Sequence, residues 1–295
     1  IIFLTMSAVL SGAKGWKAIH IFGVAQLHWL REYREFANGI PTRHSIGRII
    51  RGIKAESLIE CFEQWVNRIR SEGEREQIAF DGKVVRGSGN GADLNPLQLM
   101  SAMVVDSGLI LYQQEVSDKT NEIPVMQAML QRLSVKGAVI TADAMHCQTK
   151  TVQIIRAEGA DYMLQVKDNQ RNLSKEISAF FHKTYRDTPE VLKEQYFEEI
   201  EKAHGRINER YYRLLPITDW LAGMEDWKDI QSVVEVTRKR TFKKKGKEQI
   251  EREVSYYITS LGGDVKEAAR AIRNHWAIEN SQHWVLDVTF REDES

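Results

Sequence analysis

The hydrophobic rhythm changes near residue 77, and that change constrains the fold more than any other feature. Before it the spacing is helical: Leu58, Cys61, Phe62, Trp65, Val66 and Ile69 recur every three or four positions. After it the rhythm is that of strands. Residues 78–87 are mostly apolar or β-branched, with Asp81 as a polar interruption. Residues 97–105 and 109–116 read as two more strands, joined by the tight Asp106-Ser107-Gly108 turn. Three antiparallel strands in a row are expected.

The pattern then alternates. Residues 123–133 are helical, with Pro124 tolerated in the first turn. Residues 138–143 form a short buried strand ending on Asp143. A helix follows over 148–158, closed by Gly159, and a strand over 161–167. Three antiparallel strands followed by helix, strand, helix, strand is the order of an RNase H-like fold. The expected class is therefore α/β, with a mixed five-stranded sheet and helices.

The flanks differ. Residues 1–72 read as a helical N-terminal module. Ile19, Phe22, Leu27 and Leu30 fall roughly on one face, and Thr42 or Ser45 can cap the helix after the Asn38-Gly39-Ile40-Pro41 turn. Arg43, Arg48, Arg51 and Lys54 are either a solvated face or a DNA-contacting one. Residues 168–254 do not fit the core. They carry a polar helix over 173–185, strand-like pieces at 210–215 and 232–236, and the basic residues Arg238, Lys239, Arg240, Lys243, Lys244, Lys245 and Lys247. A strand follows over 254–259. From Asp264 to about Trp284 the rhythm is helical again, with Val265, Ala268, Ala269, Ile272, Trp276 and Glu279 in register.

Composition excludes several classes. The chain has 295 residues, 42% hydrophobic and 28% charged, which is a soluble globular balance. Its 41 basic and 41 acidic side chains sum to zero, which does not exclude nucleic acid, because binding depends on where charge lies. Two cysteines, Cys61 and Cys147, support neither a disulfide framework nor a CxxC zinc site, which suits a reducing cytoplasm. The apolar start, residues 1–10, falls short of the roughly 20 residues of a membrane span and lacks a signal-peptide pattern. A start on Ile1 and an end on Arg291-Glu292-Asp293-Glu294-Ser295 read as a chain clipped at one or both ends, with Met6 as an alternative start.

Three acids stand out by context: Asp81 within an apolar strand, Asp143 ending another, and Glu279 beside Trp276 and Ile278. Such placement is costly unless a cation compensates it. Carboxylate oxygens are hard donors suited to Mg²⁺ or Mn²⁺. Two such ions about 3.5–4 Å apart support in-line phosphoryl displacement. Asp81 would be shared, with Asp143 and Glu279 completing one shell each. Spacing alone leaves the bland alternative open, since a strand-end Asp is commonly a turn or cap residue.

The motif wording goes further. The block from Ile78 to Gly87, the block from Val139 to Gln148, and the block from Arg273 to Asn280 with His283 to Phe290 resemble the catalytic blocks of ISAs-type insertion-sequence transposases, the H-repeat-associated group. Asn121-Glu122-Ile123-Pro124, Lys167-Asp168-Asn169-Gln170 and His204-Gly205-Arg206 match the same group in the same order. The resemblance implies a DDE triad of Asp81, Asp143 and Glu279 holding two Mg²⁺ or Mn²⁺ ions. It implies an RNase H-like catalytic domain over 73–295, with an insertion, about 168–254, before the last catalytic helix. It also implies an Arg273 contact to DNA phosphate, and a chain that continues past Phe290. The partners implied are transposon-end and target DNA, met by a homodimer in the bacterial cytoplasm. The basic residue usual after the Glu is not evident, and His283 stands near that place.

Other candidates keep two readings. Lys83 and Arg86 hold the scissile phosphate or pair with acids. His204 and Arg206 reach the cut end or lie in a surface turn. The basic run from Arg238 to Lys247 is a phosphate clamp or a mobile hairpin tip. Trp276 and Trp284 stack on bases or, at their helical spacing, sit in the core. Asp287 is a cap, a supporting acid or a ligand. At the level of function the alternatives are an active transposase or a truncated, catalytically inactive DNA-binding remnant.

Overall fold

The structure, a computed structural model, describes residues 1–70, 75–89, 95–117, 121–203, 205–217, 226–244 and 247–294. It divides into two compact units, Ile1–Arg70 and Ser71–Ser295.

The first unit is helical: α1 Ile2–Leu10, α2 Gly15–Ala25, α3 Leu27–Tyr33, α4 Arg43–Arg51 and α5 Ala55–Ile69. Leu4, Ala8, Ile19, Leu30 and Ile46 form its core. Thr42 starts α4, its Oγ1 accepting the Ser45 N–H at 3.3 Å, so an otherwise orphaned helix donor is satisfied. Helix α5 has the expected period, but of its apolar stripe only Val66 is buried, while Leu58, Phe62, Trp65 and Ile69 are exposed. Period reports helix type; it does not say that the apolar face is covered.

The second unit is built on β1 Gln77–Val85, β2 Leu97–Val104, β3 Leu109–Val116, α6 Glu122–Arg132, β4 Val139–Ala142, α7 Thr149–Ala157 and β5 Asp161–Val166. It continues with α8 Arg171–Asp187, α9 Val191–Glu194, β6 Tyr196–Ala203, β7 Arg206–Pro216, β8 Ser232–Lys244, β9 Lys247–Thr259 and α10 Val265–His275. The expected sheet of five strands is in fact one of nine, in the order β3-β2-β1-β4-β5-β9-β8-β7-β6. Strands β1, β4 and β5 run parallel, β2 pairs antiparallel with β1, and β3 pairs antiparallel with β2. The segment that did not fit the core extends it instead: β9 pairs antiparallel with β5, and β8, β7 and β6 follow as a meander. Of the basic run, Arg238 to Lys244 lie within β8 and Lys247 opens β9. Strand β6 escapes the sequence reading altogether.

The two halves share one apolar face. Helix α10 lays Val265, Ala268, Ala269 and Ile272 against Val139 and Met163 of the first half and Tyr212, Leu214 and Val234 of the second. Gln77 fixes it in place, its Nε2 donating to the Ala271 carbonyl at 2.8 Å and to Thr141 Oγ1 at 3.3 Å. The helix is not regular to Trp284 as expected. After His275 it opens into wide π-type turns, Ile278–His283 and Val285–Thr289. Such widening inserts residues into the helical register and often marks functional positions. Among the described residues no helix is long and apolar enough to cross a membrane.

Candidate active site

The sheet register sets two of the three acids side by side. Parallel pairing of β1 with β4 runs from Gln77 opposite Val139 to Phe80 opposite Ala142, so Asp81 and Asp143 are the next residues on adjacent chains. Neighbouring strands lie about 4.8 Å apart, which brings these carboxylates into one cleft. Ile278, wholly buried against Ala79 and Met103, anchors the π-type turns on the same face and delivers Glu279. Gln282 adds a second tie, donating to Ser101 Oγ at 3.0 Å.

The electrostatics show that the three charges feel one another. Asp81 is 8% exposed. Burial pushes its carboxyl up to about 7, and the charges of Asp143 and Glu279 add to the rise; only the Gly82 N–H, donating at 2.9 Å, lowers it appreciably. Glu279 is also raised, by burial and then by Asp143. Asp143 goes the other way, held below its usual range chiefly by the neighbouring His275 ring. His275 Nε2 stands 3.6 Å from Asp143 Oδ1, and its Nδ1 meets Thr141 Oγ1 at 3.2 Å. His283 Nδ1 lies 3.5 Å from Asp81 Oδ2. Burial and nearby Lys83 lower its pKa, so at neutral pH it faces Asp81 as an uncharged ring rather than a counter-cation. The cleft therefore gathers three carboxylates, and the favourable charges near it, His275 and Lys167, act chiefly on Asp143.

The turn after Asp143 is fastened from the Lys167-Asp168-Asn169-Gln170 segment. Asn169 Nδ2 donates to the Ala144 carbonyl at 2.8 Å, and Gln170 Nε2 to the Cys147 carbonyl at 3.0 Å. That motif has a positioning role which sequence spacing did not reveal. His275 was missed too, because a histidine on a helix carries no signal until Thr141 and Asp143 are seen beside it.

Beyond the end of α10 the shared face turns from apolar to basic. Along β8 it reads Val234, Val236, Arg238, Arg240, and along β7 Leu214, Tyr212, Arg210. The result is a groove of about 330 Å³ in which Lys167, Arg210, Arg238, Arg240 and Arg273 outnumber Glu253 and Glu279. Trp276 lines it as well and is 40% exposed; Trp284 is 56% exposed, so neither is the core residue its helical spacing suggested. Arg273 donates to Glu201 Oε2 at 3.0 Å, and Lys239, on the opposite face of β8, pairs with Glu209 at 2.6 Å.

Lys83 is buried and meets Asp287 at 2.8 Å, Glu292 at 3.2 Å and Asp293 at 3.3 Å. It pairs with acids, at the shortest distance with Asp287. Arg86 keeps an exposed side chain, while its backbone N–H donates to Asp293 at 3.1 Å. Arg206 opens β7 and is exposed, as is Lys243 on β8; neither lines the groove. His204 and Lys245 lie outside the described residues, and for Lys244 only the backbone is described.

Asp81 within β1, Asp143 just after β4 and Glu279 on the π-type turns make a coupled carboxylate cluster on a mixed α/β sheet, an arrangement that suits more than one class of protein. The comparisons narrow it: residues 72–295 match the family described as "Transposase DDE domain", and residues 1–66 match the family described as "DDE_Tnp_1-associated". The chain belongs to the DDE transposase family. It is 34% identical over 296 residues to the H repeat-associated putative transposase YhhI of Escherichia coli K12, covering 100% of this chain and 78% of that protein. Against the putative transposase YncI of Escherichia coli O157:H7 it is 36% identical over 297 residues, covering 100% and 75%. A shorter match, 46% over 50 residues, covering 17% and 60%, is to a protein named inactive transposase YbfQ of Escherichia coli K12.

Proposed function

We propose that this chain catalyses metal-dependent cleavage of DNA strands at insertion-sequence ends and the strand transfer that follows, with β3-β2-β1-β4-β5 serving as an RNase H-like catalytic half sheet. One observation carries the reading: Asp81, Asp143 and Glu279 are electrostatically coupled in one cleft that opens beside a groove with five basic side chains. As placed, no three His, Cys, Asp or Glu side chains among the described residues converge into a ready-made ion site. The donor set nonetheless suits hard divalent cations, being three carboxylates whose mutual repulsion a cation would relieve. Asp81, Asp143 and Glu279 would hold Mg²⁺ or Mn²⁺, which when bound supply Lewis-acid activation of the attacking oxygen and charge stabilisation at the leaving one.

The protein's own groups do the rest. His275 and Thr141 fix the Asp143 carboxylate. Arg273, Arg238 and Arg240 receive backbone phosphates, a task suited to planar guanidinium forks. In the absence of DNA these arginines stand beside Glu253, Glu251 and Glu201, exposed contacts that a phosphate can replace. Transposon-end and target DNA are the substrates, and pairing two ends calls for a homodimer on DNA. The helical unit, about residues 1–72, adds DNA contacts through α4, and the site of action is the bacterial cytoplasm at the nucleoid.

The test is cleavage of labelled terminal-repeat DNA in Mg²⁺. Cleavage by the wild type that vanishes in Asp81→Ala, with DNA binding retained, is the expected result. DNA binding without cleavage by the wild type would make the chain an inactive DNA-binding remnant instead.

A further inference from the structure

The segment that carries Glu279 is held without a core of its own. From Glu279 to Thr289 no side chain is buried, and Trp284, Val285 and Val288 are exposed. Its wide turns do not continue the register of α10. Apolar packing therefore fixes its start, at Ile278, but not its path beyond. A segment with so few buried contacts opens locally at small cost unless polar ties hold it.

Those ties run along β1. Residues two apart on a strand share a face, so Asp81 and Lys83 look to the same side of the sheet. His283 stands beside Asp81, and four residues on Asp287 meets Lys83 at 2.8 Å. The same ammonium meets Glu292 at 3.2 Å and Asp293 at 3.3 Å, and Asp293 also accepts the Arg86 backbone N–H at 3.1 Å. The Lys83 side chain is only 6% exposed, so these carboxylates stand in place of water around its charge. Desolvation offsets most of the attraction in a buried ion pair, so net stability does not explain such a cluster; breaking it, however, strands charges without partners. Three acids that converge on one buried cation define the path of the chain from Asp287 to Asp293.

We propose that Lys83 is a positioning residue for Glu279: its buried ammonium gathers Asp287, Glu292 and Asp293, and so holds the Glu279-bearing segment along the strand that carries Asp81. This rests on the reading of the cleft as a cation site. One strand then sets both sides of that site. Asp81 supplies a carboxylate directly, and Lys83, two residues on, fixes where the Glu279 carboxylate stands. In this role the lysine itself touches neither DNA nor ion.

The test is Mn²⁺ binding to the full chain without DNA, followed by the electron paramagnetic resonance signal of free Mn²⁺, so that no turnover is needed. Glu279→Gln and Lys83→Met should each weaken binding about tenfold or more, and the two combined should weaken it no further than Glu279→Gln alone. Removing a positive charge by itself favours a nearby cation, so a purely electrostatic role predicts the opposite sign for Lys83→Met. Losses that multiply in the double variant overturn the proposal, because Lys83 would then act other than through Glu279. Wild-type affinity in Lys83→Met beside weakened binding in Glu279→Gln overturns it too, and leaves the cleft reading standing. Should Lys83→Met fail to fold in chelator, Asp287→Asn, which spares the lysine, takes its place in the same cycle, and the same outcomes decide. The salt dependence of DNA binding is the last arm. Its slope should be unchanged in Lys83→Met; a slope flattened by about 0.9 would make Lys83 a phosphate contact and overturn its positioning role. Wild-type Mn²⁺ affinity in both Asp81→Asn and Glu279→Gln overturns the cation-site reading and the proposal together.

Discussion

The two halves of the nine-stranded sheet are held by different forces. In the first half, β1 and β4 are buried almost end to end, and adjacent strands meet through apolar side chains. In the second half, β9 is exposed from Lys247 to Val254, and β8 runs through Arg238, Lys239 and Arg240, which pair with Glu253, Glu209 and Glu251 on the neighbouring strands. The first half places acids where water is scarce, so their charges couple and their pKa values separate. The second keeps its charges in solvent, where they are screened and exchangeable. A site that must concentrate negative charge and then receive a polyanion gains from both arrangements on one continuous face.

The comparison breaks most visibly if the halves divide chemistry from binding as proposed. Asp143→Asn should lower cleavage at saturating DNA on the order of 10³-fold while leaving the salt dependence of binding unchanged. Arg238→Ala combined with Arg240→Ala should do the reverse. Loss of two phosphate contacts should flatten the slope of log affinity against log salt by about 1.8, with cleavage at saturation kept within roughly tenfold. Kinetics at saturation beside binding titrations at several salt concentrations separate the two. A salt slope unmoved by the arginine pair would remove the groove from the binding surface.

Next in size is the apolar seam that joins the halves. Leu214 is wholly buried beneath α10. Leu214→Ala should destabilise by about 2–5 kcal/mol in denaturant melts, since it removes burial and leaves a cavity in a packed layer. A loss under about 1 kcal/mol would mean that the second half is not packed against α10 as described.

Slightly smaller, and opposite in sign, is the effect of discharging the cleft. The folded state raises the Asp81 carboxyl from 3.8 to about 7, so folding favours its neutral form. Stability from that group is complete below pH 3.8 and is lost as pH rises through 7. Asp81→Asn keeps an acceptor for the Gly82 N–H and carries no charge. In chelator it should therefore melt higher than wild type above pH 7, by the equivalent of roughly 2–3 kcal/mol, and the advantage should vanish below about pH 4. An advantage independent of pH would show that folding does not raise the Asp81 carboxyl.

The same division explains what the sequence makes legible. Strands β1 and β4 are buried on both faces, so they read as unbroken apolar runs, and an acid within them is conspicuous. That is why Asp81 and Asp143 can be singled out, and why the order of elements through β5 follows from rhythm alone. Strand β6, Tyr196 to Ala203, has charged residues on both faces and no period to detect; it exists because β7 pairs with it along its full length. The outer part of β8 looks like a basic loop for the same reason. Glu279 is visible through its motif, but the wide turns that carry it leave no sequence signature.

The finest test is on a single rung of the charged ladder. Lys239 and Glu209 stand directly opposite one another on β8 and β7, and their side chains meet at 2.6 Å. The lysine, with help from Tyr211, holds the Glu209 carboxyl below its ordinary range. Both side chains keep partial access to solvent, so their coupling should be modest: about 0.2–1 kcal/mol in a double-mutant cycle of Lys239→Ala and Glu209→Ala. Because the carboxyl is depressed in the folded state, the coupling should be present at neutral pH and fade as pH falls below its ordinary value of 4.5. It should also weaken with added salt. A coupling well above 1 kcal/mol, insensitive to salt, would mean that this half is held by buried ion pairs after all, and the contrast between the two halves would shrink to one of composition.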